Sequence, residues 1–196
     1  LYWLAIWGFT VQIYCDFSGY TDMAIGSAIM LGINLPLNFN KPYTAYNLQE
    51  FWKNWHITLS KWLRDYLYIP LGGARCSKNR HFVNIFITMI IGGLWHGANW
   101  TFIIWGAIHG MGIAFVHLVK YSPLLSELFR YIPRPFKWAL TILFVSIAWV
   151  FFRSPDINTA WIIISGAFAL PSYLDSDFLH ENMLLLLIIF IFAITH

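Results

Sequence analysis

Long apolar stretches separated by short polar blocks dominate the chain. The first covers 1–14, and a second, Met23–Leu35, follows a polar block that contains Asp16 and Asp22. The first stretch is shorter than the roughly 20 residues that cross a bilayer, so we expect a truncated helix there. We expect Asp16 and Asp22 to mark a polar break between helices, where such acids cap helix ends or pair with bases.

An amphipathic segment follows a proline- and asparagine-rich break over 38–46. In Asn47–Tyr68, the aromatic and aliphatic residues Phe51, Trp55 and Leu59 recur at helical spacing, with lysines and an arginine between them. Helices of this kind, rich in tryptophan and flanked by bases, commonly lie at the membrane interface. We therefore predict one interfacial helix over Asn47–Tyr68.

The longest apolar region, Phe82–Val119, is interrupted by Gly92-Gly93 and by Trp95–Asn99. Its length predicts two short spans or a re-entrant hairpin, with the backbone bending at the glycines. Irregular backbone at membrane depth is tolerated only where protein or a water-filled cavity surrounds it. We therefore expect Trp95–Asn99 to line a cavity.

The C-terminal third continues the same pattern. Phe136–Phe152 is long enough for a span, Ile157–Leu170 predicts a short span or a surface segment, and Asn182–His196 predicts the opening of a further helix. The chain starts and ends inside apolar runs. The pattern predicts an all-α, polytopic transmembrane fold with broken or re-entrant helices, in which 1–196 form one domain truncated at both ends.

Composition and charge support a membrane location. Hydrophobic residues make up 59% of the chain and charged residues 11%, whereas soluble domains carry about 25% charged residues. A net charge of +3 is too small to indicate nucleic acid. Because basic loops tend to stay cytoplasmic, we place 41–81 and 120–137 inside and the acidic region 153–182 outside.

Two histidines stand out as candidate chemical groups. His96 lies in the glycine-bounded interruption, where an ionisable side chain costs roughly a few kcal/mol and is a functional candidate by default. Its imidazole suits general base catalysis near neutral pH, although a neutral histidine bonded between helices has the same pattern. On a helix, His56 shares a face with Trp52 and Ser60, and the alternative is an ordinary interfacial histidine.

The remaining polar groups are weaker candidates. Arg64 could bind the phosphate or carboxylate of a donor, or simply pair with Asp65 at the membrane surface. The Gly72-Gly73 turn lacks the spacing of a nucleotide-binding loop. The cysteines offer no metal-binding motif, so we predict no metal site and no bound cofactor.

Three blocks of this sequence resemble the membrane-bound O-acyltransferase family. The run from Phe51 to Gly73, FWKNWHITLSKWLRDYLYIPLGG, looks like the hallmark block of that family. The run from Gly93 to Ala98, GLWHGA, resembles the block that contains the family's essential histidine, and 16–26 resembles a third. The ending Ile69–Gly73 is more similar to the alginate O-acetyltransferase branch than to the branch that D-alanylates teichoic acid.

The resemblance implies a function and a set of site residues. It makes His96 the catalytic histidine and His56 the second histidine of the active-site tunnel, in a multi-pass protein of the bacterial plasma membrane. The implied reaction moves an acyl group, such as acetyl, from a cytoplasmic thioester donor such as acetyl-CoA towards a polysaccharide hydroxyl. An extracytoplasmic partner acyltransferase would complete the transfer. We also predict substrate contacts from Asn54, Trp55, Arg64, Asp65, Trp95 and Asn99.

Other classes of function remain open on the sequence alone. A transporter or flippase would also contain broken helices and intramembrane polar groups, although no inverted repeat is visible. A catalytically inactive scaffold of the same fold is a further alternative. A haem held by His96 and His109 is disfavoured, because on one helix the two rings would point about 140° apart.

Overall fold

The computed structural model describes residues 1–169, and every regular element in this part of the chain is helical. This confirms the predicted all-α class. The predicted helix over 182–196 and residues 170–182 of the acidic region lie outside the described residues. The helices are α1 Tyr2–Met30, α2 Leu48–Asn54, α3 Ile57–Leu63, α4 Lys78–His96, α5 Trp100–Tyr121, α6 Pro123–Arg130, α7 Arg134–Arg153 and α8 Ile157–Phe168.

The predicted polar break at Asp16 and Asp22 is wrong, because α1 continues through both acids for 29 residues. Its hydroxyl side chains bond back to carbonyls of their own helix. Thr21 Oγ1 donates to the Ser18 carbonyl at 2.9 Å, and Ser27 Oγ donates to the Met23 carbonyl at 2.8 Å. These hydroxyl groups find hydrogen-bond acceptors within α1 itself. The polar block that contains Asp16 and Asp22 therefore separates two apolar stretches of sequence but does not break the helix.

The single helix predicted over Asn47–Tyr68 is also wrong, because it is interrupted at Trp55 and His56. It consists of α2, α3 and a π-helical turn, Arg64–Tyr68. Trp55 has extended backbone and is 3% exposed, so its ring is part of the protein core. The segment is therefore a broken helix whose apolar face packs against other helices.

Helices α4 and α5 pack against each other as a helical hairpin, which agrees with the hairpin predicted within Phe82–Val119. The backbone turns at 97–99, so the expectation of a bend at Gly92-Gly93 is wrong. Gly93 and Gly106 instead allow close helix contact. A Cβ on Gly93 would collide with the Phe102 carbonyl, and one on Gly106 with the Met89 carbonyl. Small residues at such crossings are typical of membrane helices.

The core lies where α2, α5 and α7 meet. Phe51, Trp105 and Trp149 are each 2% exposed or less and pack there with partly buried residues of α1. Helices α5 and α7 are both long and apolar enough to cross a membrane, which agrees with the span predicted over Phe136–Phe152. The shorter α8 packs on α1 and α7 through Ala160 and other small or aliphatic residues.

Candidate functional site

The site begins at the break between α2 and α3, where His56 adopts a left-handed backbone conformation with φ of 43°. Such a conformation is uncommon for a residue with a side chain and is held by surrounding structure. Two backbone bonds to the 38–40 strand-like loop provide that support. Ile57 N donates to the Asn38 carbonyl at 2.9 Å, and Asn40 N donates to the Asn54 carbonyl at 3.0 Å.

The buried side chain of Asn38 fixes the His56 ring. Asn38 Oδ1 lies 3.1 Å from His56 Nδ1 and accepts hydrogen bonds from Thr58 N at 3.2 Å and Thr58 Oγ1 at 2.9 Å. Because a backbone N–H only donates, the atom facing it must be the amide oxygen, which only accepts. His56 therefore carries its proton on Nδ1, and Nε2 is the acceptor atom of the neutral ring.

His96 is the last residue of α4, and four aromatic rings surround it. Its ring centroid lies 4.9 Å from that of Phe152, 5.3 Å from that of Trp105 and 6.2 Å from that of Phe102. The fourth ring is that of the adjacent Trp95. His96 is only partly buried, and within residues 1–169 its ring nitrogens have no hydrogen-bond partner. The imidazole is thus available to an incoming molecule.

His56 and His96 line the same small cavity of about 40 Å³. Trp55 also lines it, as do aromatic and aliphatic side chains from α1, α2, α3, α4, α5 and α7. A volume of this size holds one to a few water molecules or a small reacting group. The two imidazoles are the only ionisable side chains among its described lining residues. The arrangement places two potential proton acceptors in a mostly apolar space.

A third histidine, His109, lies behind the cavity wall. It is completely buried, and its Nδ1 accepts a hydrogen bond at 3.2 Å from Nε1 of Trp52, a residue that lines the cavity. Its ring also contacts Trp105, another wall residue, at 5.0 Å between centroids. Because an indole N–H only donates, Nδ1 of His109 is unprotonated and its proton is on Nε2. His109 therefore holds wall residues in position.

Of the six predicted substrate contacts, only Trp55 lines the cavity. Asn54 ends α2, and its carbonyl anchors the 38–40 loop. Asn99 caps α5 through Thr101 N and donates from Nδ2 to the Pro155 carbonyl at 2.8 Å. Trp95 is 61% exposed, although its ring lies against both His56 and His96. Of the Trp95–Asn99 segment, only His96 lines this cavity, so the rest of that expectation stays a prediction.

Arg64 and Asp65 lie outside the cavity and pair with each other at the surface. Arg64 Nε donates to Asp65 Oδ1 at 2.7 Å, and both side chains are about half exposed. The hydrogen bond from Arg64 lowers the pKa of Asp65 below its ordinary value and raises that of Arg64. Their predicted role as donor contacts is untested. Within residues 1–169, no group of three or more histidine, cysteine, aspartate or glutamate side chains is placed to hold a metal.

Asn38 and the wall residues were missed by the sequence interpretation. Asn38 was read only as part of a helix-breaking segment, and Trp105, Trp149 and Phe152 only as apolar residues of spans. The one available signal for Asn38 was its polarity beside the apolar run that ends at Leu37. Its partner His56 is far along the chain, so no local pattern could connect the two residues.

The helical membrane architecture, together with two histidines that share an apolar cavity, defines a membrane-embedded protein with a candidate active site. Comparison with known proteins identifies its family. Residues 2–154 match the model of MBOAT, the membrane-bound O-acyltransferase family, and the chain belongs to that family.

Curated relatives agree with this assignment. The chain is 45% identical over 181 residues to a protein of Pseudomonas aeruginosa named "Probable alginate O-acetylase AlgI", covering 92% of this chain and 34% of that protein. It is 46% identical over 164 residues to the peptidoglycan O-acetyltransferase of Helicobacter pylori, covering 84% and 31%. A teichoic acid D-alanyltransferase of Streptococcus thermophilus is 36% identical over 115 residues, covering 55% and 27%. The chain thus spans about a third of the length of these relatives.

Proposed function

We propose that the protein containing this chain is an O-acyltransferase of the bacterial plasma membrane. It moves an acyl group, acetyl by analogy with the named relatives, from a cytoplasmic thioester donor such as acetyl-CoA towards hydroxyl groups of an extracytoplasmic polysaccharide. The observation that carries this proposal is that His56 and His96, which belong to separate helical segments, line one cavity. The names of the alginate and peptidoglycan O-acetyltransferase relatives support the substrate class.

In the proposed reaction, His96 is the general base. It removes the proton of the attacking hydroxyl, whose oxygen forms a bond to the thioester carbonyl carbon. The carbon–sulfur bond then breaks, and the thiolate leaves with the proton that the imidazolium returns. Such assistance is typically worth about 10²- to 10⁴-fold in rate. Among the described residues, no hydrogen-bond partner of His96 competes with the substrate for its ring nitrogens.

His56 orients the reacting hydroxyl in this proposal. Its Nδ1 proton is directed to Asn38, so the neutral ring presents Nε2 as an acceptor. An acceptor cannot stabilise an oxyanion by donating to it, so another group must supply that hydrogen bond. A partner acyltransferase outside the membrane, as the family resemblance implies, would complete transfer to the polymer.

The test is an acyl-transfer assay on the full-length protein in proteoliposomes together with its extracytoplasmic partner acyltransferase, with a radiolabelled acetyl thioester and the polysaccharide acceptor. The variants are His96→Ala and His56→Asn, because asparagine tolerates the left-handed backbone at position 56 and removes only the imidazole. His117→Ala is the matched control, since His117 packs beside His81 and away from the cavity.

We expect His96→Ala to lose label transfer by at least two orders of magnitude, His56→Asn to lose less, and His117→Ala to keep wild-type transfer. Full transfer by a well-folded His96→Ala protein would exclude the proposed mechanism. Transport of unmodified polysaccharide without label would support the transporter alternative. A folded wild-type protein that recruits a partner but transfers no label itself would indicate an inactive scaffold.

A further inference from the structure

A second and much larger cavity, of about 790 Å³, opens between α5, α6 and α7. We refer to it as the basic groove, because Lys120, Arg134 and Lys137 all line it. None of its described lining residues belongs to the cavity that holds His56 and His96. The basic groove is therefore a separate site and not a continuation of the candidate active site.

The basic groove has the depth of one bilayer leaflet. Its walls extend along α5 from Lys120 to Met111 and along α7 from Arg134 to Phe144. At 1.5 Å of rise per residue, each wall is roughly 14 to 15 Å long, which is about half of the roughly 30 Å hydrocarbon thickness. Because α5 and α7 are the two candidate spans within residues 1–169, we infer that the groove extends from one membrane surface towards the midplane.

Apolar side chains form the deep part of the groove. Met111 and Leu140 are each 56% exposed, and Phe115 is 47% exposed. Phe129 of the short helix α6 covers Phe115, with ring centroids 5.6 Å apart. Helix α6 also exposes the apolar side chains of Leu124 and Leu128, as expected for a segment that lies in the membrane interface. The groove thus has an interfacial roof and an apolar interior.

The cationic end is not neutralised by its surroundings. Within residues 1–169, no carboxylate lies within 4.0 Å of Lys120, Arg134 or Lys137. Lys120 Nζ instead bonds the neutral amide of Gln49. One acid, Glu50, lines the groove, and its carboxylate accepts a hydrogen bond from Tyr46 N at 2.9 Å. The lining therefore has three positive charges and one negative charge.

We propose that the basic groove binds an anionic phospholipid. Its phosphate lies against Lys120, Arg134 and Lys137, and an acyl chain extends along Met111, Phe115 and Leu140. A headgroup charge at the surface and a hydrocarbon chain reaching the midplane match the two ends of the groove. A soluble phosphate would leave the apolar interior empty. This proposal is independent of the acyl-transfer chemistry.

The experiment uses the full-length protein in phosphatidylcholine nanodiscs that contain phosphatidylglycerol with a photoreactive diazirine on its acyl chain. After illumination, mass spectrometry locates the labelled peptides. The charge variant is Lys120→Gln/Arg134→Gln/Lys137→Gln. The matched control, Arg75→Gln/Lys78→Gln/Arg80→Gln, removes equal charge from the other basic loop. A third variant, Met111→Trp/Leu140→Trp, fills the groove and keeps all three cations.

We expect wild-type label on the peptides that contain Met111 and Leu140, displaced by unlabelled phosphatidylglycerol and not by phosphatidylcholine or inorganic phosphate. Each removed charge should weaken binding about fivefold, so the charge variant should lose on the order of a hundredfold. The matched control should retain wild-type labelling, and the filled variant should lose it. Any of three results would overturn the proposal. The charge variant could be labelled as strongly as the wild type, phosphatidylcholine could displace the label as well as phosphatidylglycerol does, or the groove could carry no label because another part of the protein covers it.

Discussion

Substitution of Gly106 by alanine tests whether backbone contact between α4 and α5 holds the hairpin together. A Cβ at position 106 would lie 3.0 Å from Ile90 Cα and closer still to the Met89 carbonyl oxygen, whereas ordinary contacts are 3.4–4 Å. The atoms that would collide belong to backbone, so no side chain can rotate away. For the Met89 carbonyl oxygen to reach ordinary contact distance the two helices would have to separate by about 1 Å, and a gap of that size forfeits about half of the dispersion attraction of affected atom pairs.

The expected cost follows from two opposing contributions. Overpacking a tight contact costs about 1–3 kcal/mol, and alanine recovers about 1 kcal/mol of helix propensity relative to glycine. Gly106→Ala should therefore reduce the free energy of unfolding by up to about 2 kcal/mol, the difference between these two contributions. Gly26→Ala is the matched control, because no heavy atom lies within 4 Å of a Cβ there. That variant should be unchanged or up to about 1 kcal/mol more stable.

The assay is unfolding in mixed detergent micelles, followed by far-ultraviolet circular dichroism for both variants and the wild type. Opposite signs for the two glycine substitutions would support direct backbone contact in the hairpin. If Gly106→Ala proved as stable as Gly26→Ala, the close packing of α4 on α5 would be incorrect, and with it the position assigned to His96.

Three further predictions concern hydrogen bonds described above. Asn38→Ala removes the acceptor for His56 and Thr58, so it should lower the free energy of unfolding by about 1–3 kcal/mol and reduce acyl transfer beyond the loss of folded protein. Asn99→Ala should destabilise the hairpin by about 1 kcal/mol in the same unfolding assay, because α5 loses its cap. The bonds from Thr159 to Asp156 lower the pKa of that carboxyl. The cap of α8 should therefore have its full strength at neutral pH and weaken as the pH falls through this depressed pKa, measured by amide exchange at Thr159.

The controls for these predictions are specific to each bond. Asn38→Asp keeps the accepting oxygen and should unfold more like the wild type than Asn38→Ala does. Asn99→Ser retains a capping oxygen and should recover most of the lost stability. Asp156→Asn can still cap but does not titrate, so its amide exchange should lose the acid dependence. A pH profile identical in Asp156→Asn and the wild type would show that another group is responsible.

The sequence pattern predicted those parts of the fold that depend on local periodicity. The lengths of the apolar stretches alone predict the span in α7 and the hairpin within Phe82–Val119. The same lengths predict the all-α class. The break at His56 could not be predicted, because the bonds that stabilise it come from Asn38, on a separate segment. The continuity of α1 through Asp16 was missed for the opposite reason, since its hydroxyl groups are satisfied inside the helix.

The candidate site was predicted in part. His96 became a candidate because it is an ionisable residue in a polar interruption of a long apolar region. In the structure it lines the same cavity as His56. The remaining lining comes from distant tryptophan and phenylalanine residues, which in an apolar sequence look identical to lipid-facing ones. Asn99 caps α5 in the structure, and its predicted contact with substrate stays a prediction, because an asparagine that caps a helix and one that binds a substrate have the same local sequence.

The α4–α5 hairpin has a consequence for the order in which the protein assembles. Its two halves are joined by only three residues, 97–99, so the entropy cost of bringing them together is small. The pair can leave the translocation machinery as one inserted unit, with His96 already at its tip. The other cavity walls lie on both sides of the hairpin in sequence: those of α1, α2 and α3 precede it, and Trp149 and Phe152 of α7 follow it. We therefore expect His96 to be enclosed only after α7 has been synthesised and packed against the hairpin.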